Sequence, residues 1–279
     1  MRKLHSGTVT DAVRRMFVTA NCVLPDDVRR RMAECRARED WQSAKETLGR
    51  LVENYETAQS QGVPICQDTG LACVFVEIGQ DVHVQGDLSE AIHEGVRQGC
   101  RDGYLRASAV ADPFRRKNTG DNTPAMIYYD IVPGDRFRIT VAPKGFGSEN
   151  MSKVAMLPPS EGLKGVKAFI LETVDEAGPN PCPPVVVGVG VGGTFDKAAL
   201  LAKKSLLRPT DDRHPDPFYA ALEDELLESI NALGIGPQGF GGRTTALAVK
   251  ITAMPTHIAG LPVAVNLNCH VARHISEEL

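Results

Sequence analysis

Short apolar runs of the kind that pair into sheets, interleaved with amphipathic helical stripes and two glycine-rich loops, limit what this chain can fold into. Residues 71–78 are rich in valine, phenylalanine and isoleucine and are closed by Gly79; 185–191, 246–253 and 262–267 read the same way. Residues 126–132 and 137–141 flank Pro133-Gly134-Asp135, a turn signal that predicts a hairpin. Helical spacing recurs between them. Asp26 and Asp27 follow Pro25 and predict a capped helix running to about residue 58, with Trp41, Ala44, Leu48, Leu51, Val52 and Tyr55 on its stripe. Asp87 predicts a second cap, ahead of Leu88, Ile92 and Val96. Further helices are predicted over 161–176, after Gly192-Gly193-Thr194, and along Tyr219, Leu222, Leu226, Ile230 and Leu233 up to Gly234. The expected fold class is α+β: a mainly helical flank over residues 1–60, packed on a mixed β core with glycine-rich loops at 144–150 and 234–245. No composition break or tandem repeat divides the chain, so residues 1–279 read as a single domain.

Hydrophobic residues at 42% and charged residues at 24% are those of a globular chain able to bury a full core. The formal net charge of -4 offers no dense excess of Lys and Arg for nucleic acid or an anionic membrane. The longest apolar stretch, 183–191, is too short to span a bilayer, and the start carries no secretory pattern, so a cytoplasmic protein is expected. Seven cysteines at 22, 35, 66, 73, 100, 182 and 269 fit no secreted disulfide framework, and none form a CxxC pair.

Chemistry concentrates at three of those cysteines. Cys66 lies in Pro64-Ile65-Cys66-Gln67-Asp68-Thr69-Gly70, between a predicted helix and a predicted strand. Cys182 is locked between prolines, and Cys269 follows Asn266-Leu267-Asn268 at a strand end and precedes His270. The other four fall within helical or strand segments and read as packing residues. Three thiolates without a fourth would leave one corner of an iron-sulfur cubane without a protein ligand, which suits Lewis-acid chemistry better than electron transfer. Spacing alone does not establish this, because separations of about a hundred residues are no motif. Taken singly, Asp68 is a turn former, Arg106 a solvated charge, His257 a structural histidine and Gly147 a turn glycine. Neither glycine-rich loop carries a dinucleotide or phosphate-loop fingerprint.

Four segments stand in order: the Cys66 run; Gly145-Phe146-Gly147-Ser148-Glu149-Asn150-Met151-Ser152; Cys182-Pro183-Pro184 with Gly188-Val189-Gly190-Val191-Gly192-Gly193; and Asn266-Leu267-Asn268-Cys269-His270. Together they resemble the class I, iron-sulfur fumarate hydratase and L-tartrate dehydratase family, over nearly the whole chain from about residue 54 to residue 273. The resemblance implies a 4Fe-4S cluster held by Cys66, Cys182 and Cys269, and substrate contacts at Gln67, Asp68, Arg106, Gly147 and His257. Asp68 and His257 are the candidate catalytic residues, with Asp68 placed to protonate a departing hydroxyl and Arg106 to grip a carboxylate bidentately.

In that family a swivelling C-terminal region completes the site, fused or on a separate subunit. The chain ends soon after Cys269, so the resemblance implies an α subunit with its β subunit separate, in an α2β2 assembly. The expected activity is reversible hydration of fumarate to L-malate, with L-tartrate dehydration as the alternative. A reading of another class makes the cluster a redox sensor or scaffold element. A sensor would normally supply a fourth ligand.

Overall fold

The computed structural model describes residues 1–279, which group into two compact units. The first comprises Met1–Pro25, Asn54–Phe146 and Arg273–Leu279, the second Asp26–Glu53 and Gly147–Ala272. Mixed sheets and helices in each make the fold α+β, as the alternation of periods predicts.

The first unit is built on a four-stranded sheet ordered β10 (Ile275–Glu278), β5 (Phe137–Lys144), β2 (Leu71–Gly79) and β4 (Met126–Val132). Ala72, Val74 and Val76 face one side of β2 and join Phe137, Ile139 and Val141 of β5 in a core with α1 (Ser6–Cys22) and α4 (Leu88–Asp102). Val13, Phe17, Ile92 and Val96 fill it from the helices; burying each such side chain contributes roughly 1.5–3 kcal/mol. On the opposite face Phe75 stacks on Tyr128 with ring centroids 4.9 Å apart. The predicted Asp87 cap is present, its side chain accepting from the Glu90 N–H.

The hairpin predicted over 126–141 does not form. β2 lies between the two strands, parallel to β4 and antiparallel to β5. Buried on both faces along most of its length, β2 takes a central place, and the 133–136 turn passes over its end. The N–H of Gly79 bonds Arg136 O and that of Gln80 bonds Val132 O. Two short polar strands, β1 (Arg2–His5) and β3 (Val82–Gln85), pair in parallel beside this sheet without a sequence signal strong enough to predict them.

The single helix predicted from 26 to 58 is two, α2 (Asp26–Arg38) and α3 (Gln42–Gln61). The break sits at Glu39, whose buried carboxylate accepts hydrogen bonds from the N–H groups of Trp41 and Arg243 and the Thr244 hydroxyl. Trp41 is exposed rather than on the core stripe.

In the second unit the sheet runs β6 (Lys153–Leu157), β9 (Leu261–Asn268), β7 (Val185–Gly193) and β8 (Ala246–Thr256). The period of two along β7 assigns its faces. Val185, Val187 and Val189 join the core of α6 (Gly162–Ala177) and α8 (Pro217–Ala232), with Val166, Ile170, Leu222, Leu226 and Ile230. Gly188 and Gly190 face α7 (Phe195–Ser205) so closely that a Cβ on Gly190 would lie 2.1 Å from Ala198 O. The glycines of this run are therefore a packing surface for a helix. No helix of the chain is long and apolar enough to cross a membrane.

Candidate functional site

The Cys66 loop is pinned at its base. Asn54 of α3 donates to Ile65 O at 3.0 Å, and the Ile65 N–H bonds Asn21 O at the end of α1. Beyond that anchor the Asp68 N–H donates to Cys66 Sγ at 3.4 Å, and the Cys66 thiol lies 3.4 Å from Gln67 Oε1. An amide donated to sulfur stabilises a thiolate and tunes a bound metal.

Asp68 is both the turn residue and the chemical residue of the sequence reading. Its Oδ1 accepts from Gly70 N at 3.0 Å and its Oδ2 from Phe146 N at 2.9 Å. Arg106 Nη2 stands 3.8 Å from Oδ1. Gly70 has φ +73°, and a Cβ there would meet the Lys144 carbonyl at 2.5 Å, so glycine lets β5 close onto the loop. Phe146 contributes its backbone N–H while its ring is exposed.

Three residues that the sequence reading missed hold this arrangement. Arg273, buried, donates through Nη2 to Asp68 O at 2.6 Å and Thr69 O at 3.1 Å. Asn122, fully buried with φ +62°, donates to Gly70 O at 3.0 Å and accepts from Ser108 N at 2.8 Å, which ties the Arg106 loop to the Asp68 loop. Beside it Asp121 accepts from the Thr123 amide and hydroxyl and from Arg97. Burial alone would push the Asp121 carboxyl up, but the Thr123 and Arg97 hydrogen bonds prevail and hold it down to about 2. The only sequence trace of this support is Asp121-Asn122-Thr123-Pro124, a turn-rich run.

A second constellation occupies one end of the sheet in the other unit. Cys182 leads into β7 and Cys269 leaves β9, and β7 and β9 pair with Val186 opposite Asn268. The two thiol-bearing loops are tied directly, since His270 donates to Cys182 O from its backbone N–H at 3.3 Å. Gly147, in the short helix α5 (Phe146–Glu149), lies beside the turn before Cys182, where an added Cβ would sit 3.7 Å from Asn180 O. Glu149 anchors that segment: it accepts from Lys203 of α7 at 2.5 Å and from Asn266 Nδ2 at 2.7 Å, while Asn266 also bonds Ser152 at 2.8 Å.

His257 stands apart from Cys182 and Cys269. It follows Thr256, opposite Gly193, so seven residues of β7 from Val186, about 23 Å at ~3.3 Å each, separate it from their end of the sheet. It forms an exposed turn with its Nδ1 accepting from Ala259 N.

Thiolate sulfur is the donor type an iron-sulfur cluster takes, and the structure gathers no group of three or more His, Cys, Asp or Glu side chains as a metal-ion site. All seven cysteines are free of disulfides; Cys22, Cys73 and Cys100 are buried, and burial pushes the thiols of Cys22, Cys35 and Cys100 up, which keeps them protonated. Cys66, Cys182 and Cys269 are the partly or fully accessible thiols carried on loops.

The sequence model of the family described as Fumarate hydratase (Fumerase) matches residues 10–278. The chain is 43% identical over 272 residues to a protein of Methanocaldococcus jannaschii named "Putative L(+)-tartrate dehydratase subunit alpha", covering 95% of each. It is 35% identical over 269 residues to the "L(+)-tartrate dehydratase subunit alpha" of Escherichia coli strain UTI89, covering 95% of this chain and 88% of that protein. The subunit of the same name from strain K12 is 34% identical over the same length.

Proposed function

The chain belongs to the fumarate hydratase family of hydro-lyases, and from that premise we propose that it is the α subunit of an iron-sulfur enzyme that interconverts fumarate and L-malate in the cytoplasm. The observation that carries the reading is Asp68, oriented by two backbone amides, with the Cys66 thiol and the Arg106 guanidinium beside it. Relatives named as α subunits imply a β subunit partner. The names of those relatives also favour L-tartrate as a second substrate reading.

In this reading Cys66, Cys182 and Cys269 hold a 4Fe-4S cluster. When bound, the cluster supplies a Lewis-acid site for an oxygen of the substrate. The chain's own groups do the rest. Arg106 takes a substrate carboxylate through its paired N–H donors, a geometry a lysine does not reproduce. Gln67 offers its side-chain amide and the Gly147 backbone approaches without a side chain in the way. In dehydration a protonated Asp68 gives its proton to the hydroxyl, which departs as water; in hydration its carboxylate takes that proton from the incoming water. The base that removes the carbon-bound proton comes from the β subunit.

His257 enters the site from a second α chain, within an α2β2 assembly. Its distance from Cys182 and Cys269 along β7 motivates this assignment. Ile258, Phe195, Phe218, Leu163 and Met254 of this unit are exposed apolar side chains, of the type that interfaces cover.

The test is anaerobic purification of the α chain with and without its β partner, followed by iron and sulfide analysis and a fumarate hydration assay. About four iron atoms per α chain are expected, with activity only when both subunits are present. Full turnover by the α chain alone, or a thiol triple variant that still binds the cluster, would overturn the reading. L-tartrate assayed in parallel decides between the two substrates.

A further inference from the structure

The second glycine-rich loop, residues 234–245, matches no nucleotide fingerprint and touches none of the proposed substrate residues. Gln238 and Gly239 of this loop contact the Cys182 segment, while Gly242, Arg243 and Thr244 close on Glu39. Cys182 has φ +56°, a left-handed conformation that costs a residue with a Cβ roughly 1 kcal/mol or more and persists only where the surroundings impose it. Gln238, at the centre of the loop, is likewise left-handed at φ +54°. Two strained residues that are not glycine thus face one another.

Hydrogen bonds link them. Pro183 O accepts from Gln238 N at 2.8 Å and from Gln238 Nε2 at 2.7 Å. Cys182 O accepts from His270 N at 3.3 Å and from His270 Nδ1 at 3.0 Å, and Cys182 N donates to Pro179 O at 3.0 Å. Because Nδ1 lies 3.0 Å from a carbonyl oxygen, the tautomer with its proton on Nδ1 is the one consistent with this site. Gln238 Nε2, 3.3 Å from the same nitrogen, then spends its hydrogen on Pro183 O.

The loop is itself internally hydrogen-bonded. Gly236 N bonds the Thr245 hydroxyl at 3.1 Å, Gly241 N bonds Ile235 O at 2.9 Å, and Asn231 Oδ1 accepts from Thr245 N and Ala246 N at 2.9 Å each. Gly236, at φ +71°, closes against Gly241 O so tightly that a Cβ would lie 1.8 Å away. Gly239 packs on Pro179, three residues before the thiol. The strand β8 that follows is paired to β7, so loop and thiol segment share one sheet.

We infer that the 234–245 loop is a clamp that holds Cys182 in its metal-binding conformation, with Gln238 as the positioning residue that sets how firmly the cluster is retained. This inference rests on the proposed assignment of Cys182 as a cluster ligand. A donor to the carbonyl next to a ligand restrains the ligand's backbone, as hydrogen-bonded outer partners do at metal sites generally.

The test uses the full α chain in its complex with the β subunit, wild type and Gln238→Gly. Glycine keeps the left-handed backbone and the N–H to Pro183 O and deletes only the Nε2 donor. Expected is release of iron to a chelator about fivefold faster, the equivalent of one neutral hydrogen bond, with the unfolding midpoint unchanged. Gln238→Glu, the same shape with an acceptor facing Pro183 O, should release it at least as fast and serves if the glycine variant folds poorly. In metal-free protein, alkylation of Cys182 relative to Cys269 should rise in both variants. Iron release and alkylation ratios equal to wild type would overturn the clamp. A wild-type complex that binds no cluster would instead overturn the proposed function, while the alkylation ratio would still decide whether the loop restrains Cys182.

Discussion

Replacing Asp68 with asparagine separates the two roles the structure gives this side chain. Both carboxylate oxygens are engaged, Oδ1 by Gly70 N at 3.0 Å and Oδ2 by Phe146 N at 2.9 Å. An asparagine presents one oxygen and one NH2 group, so in either orientation one backbone N–H loses its acceptor. A hydrogen bond to a charged group is worth about 1.5–3 kcal/mol, and the lower end applies because the Asp68 side chain is 28% exposed. The Arg106 contact, long at 3.8 Å and with the Arg106 side chain 60% exposed, adds less than about 1 kcal/mol. A stability loss of about 1.5–2.5 kcal/mol follows, which lowers the unfolding midpoint by roughly 3–4 °C for a chain of 279 residues. Loss of a proton donor costs catalysis about 10²–10⁴-fold, a larger effect than the folding penalty. Differential scanning fluorimetry of the α chain and steady-state kcat of the αβ complex measure the two separately. Asp68→Ala, which removes both acceptors, should unfold lower still and yet lose activity to a similar degree. A kcat within tenfold of wild type for Asp68→Asn refutes the acid role. An unchanged midpoint refutes the paired amide bonds.

Other outcomes follow from the same geometry. Coexpressing Asp68→Asn and His257→Ala α chains with the β subunit should recover part of the activity that each variant lacks alone, because mixed assemblies contain one intact site; no recovery excludes a histidine supplied by a second α chain. Gly190→Ala places a Cβ 2.1 Å from Ala198 O, a backbone atom with nowhere to move, and should destabilise by about 1–3 kcal/mol or more, read as a lower melting midpoint; an unchanged melt excludes the close β7–α7 contact. Asp121 has a folded pKa of about 2 against 3.8, so its stabilisation is present above pH ~4 and is lost as pH falls through 2. Denaturant titrations should therefore show the stability gap between wild type and Asp121→Asn, reduced by solvent screening to about 1 kcal/mol at neutral pH, closing over that acid window; a gap that persists below pH ~2 contradicts the paired carboxylate.

Local features of this chain were legible in its sequence because short-range sterics set them. The Asp87 cap, the strands over 71–78, 185–191, 246–253 and 262–267, and the helix stopped at Gly234 lie within a few residues of their predicted bounds. The sorting of cysteines was readable for Cys22, Cys73 and Cys100, which are buried, whereas Cys35 on α2 is only partly so. Less legible were features whose partners lie far along the chain. The break at Glu39 depends on the Arg243 amide and the Thr244 hydroxyl, more than 200 residues away, and beyond the turn-rich run at 121–124 nothing announces that Arg273 and Asn122 hold the Asp68 and Arg106 loops.

The amino-acid sequence alone determined the α+β class, the two glycine-rich loops, the three thiols set in loops and the family to which they belong. Tertiary structure alone decided that β2 separates β4 from β5, that discontinuous stretches of chain make each compact unit, and that His257 sits at the opposite end of β7 from Cys182. The physical reason is that periodicity fixes which face of a strand is buried, whereas the neighbour it pairs with is chosen by burial summed over the whole unit.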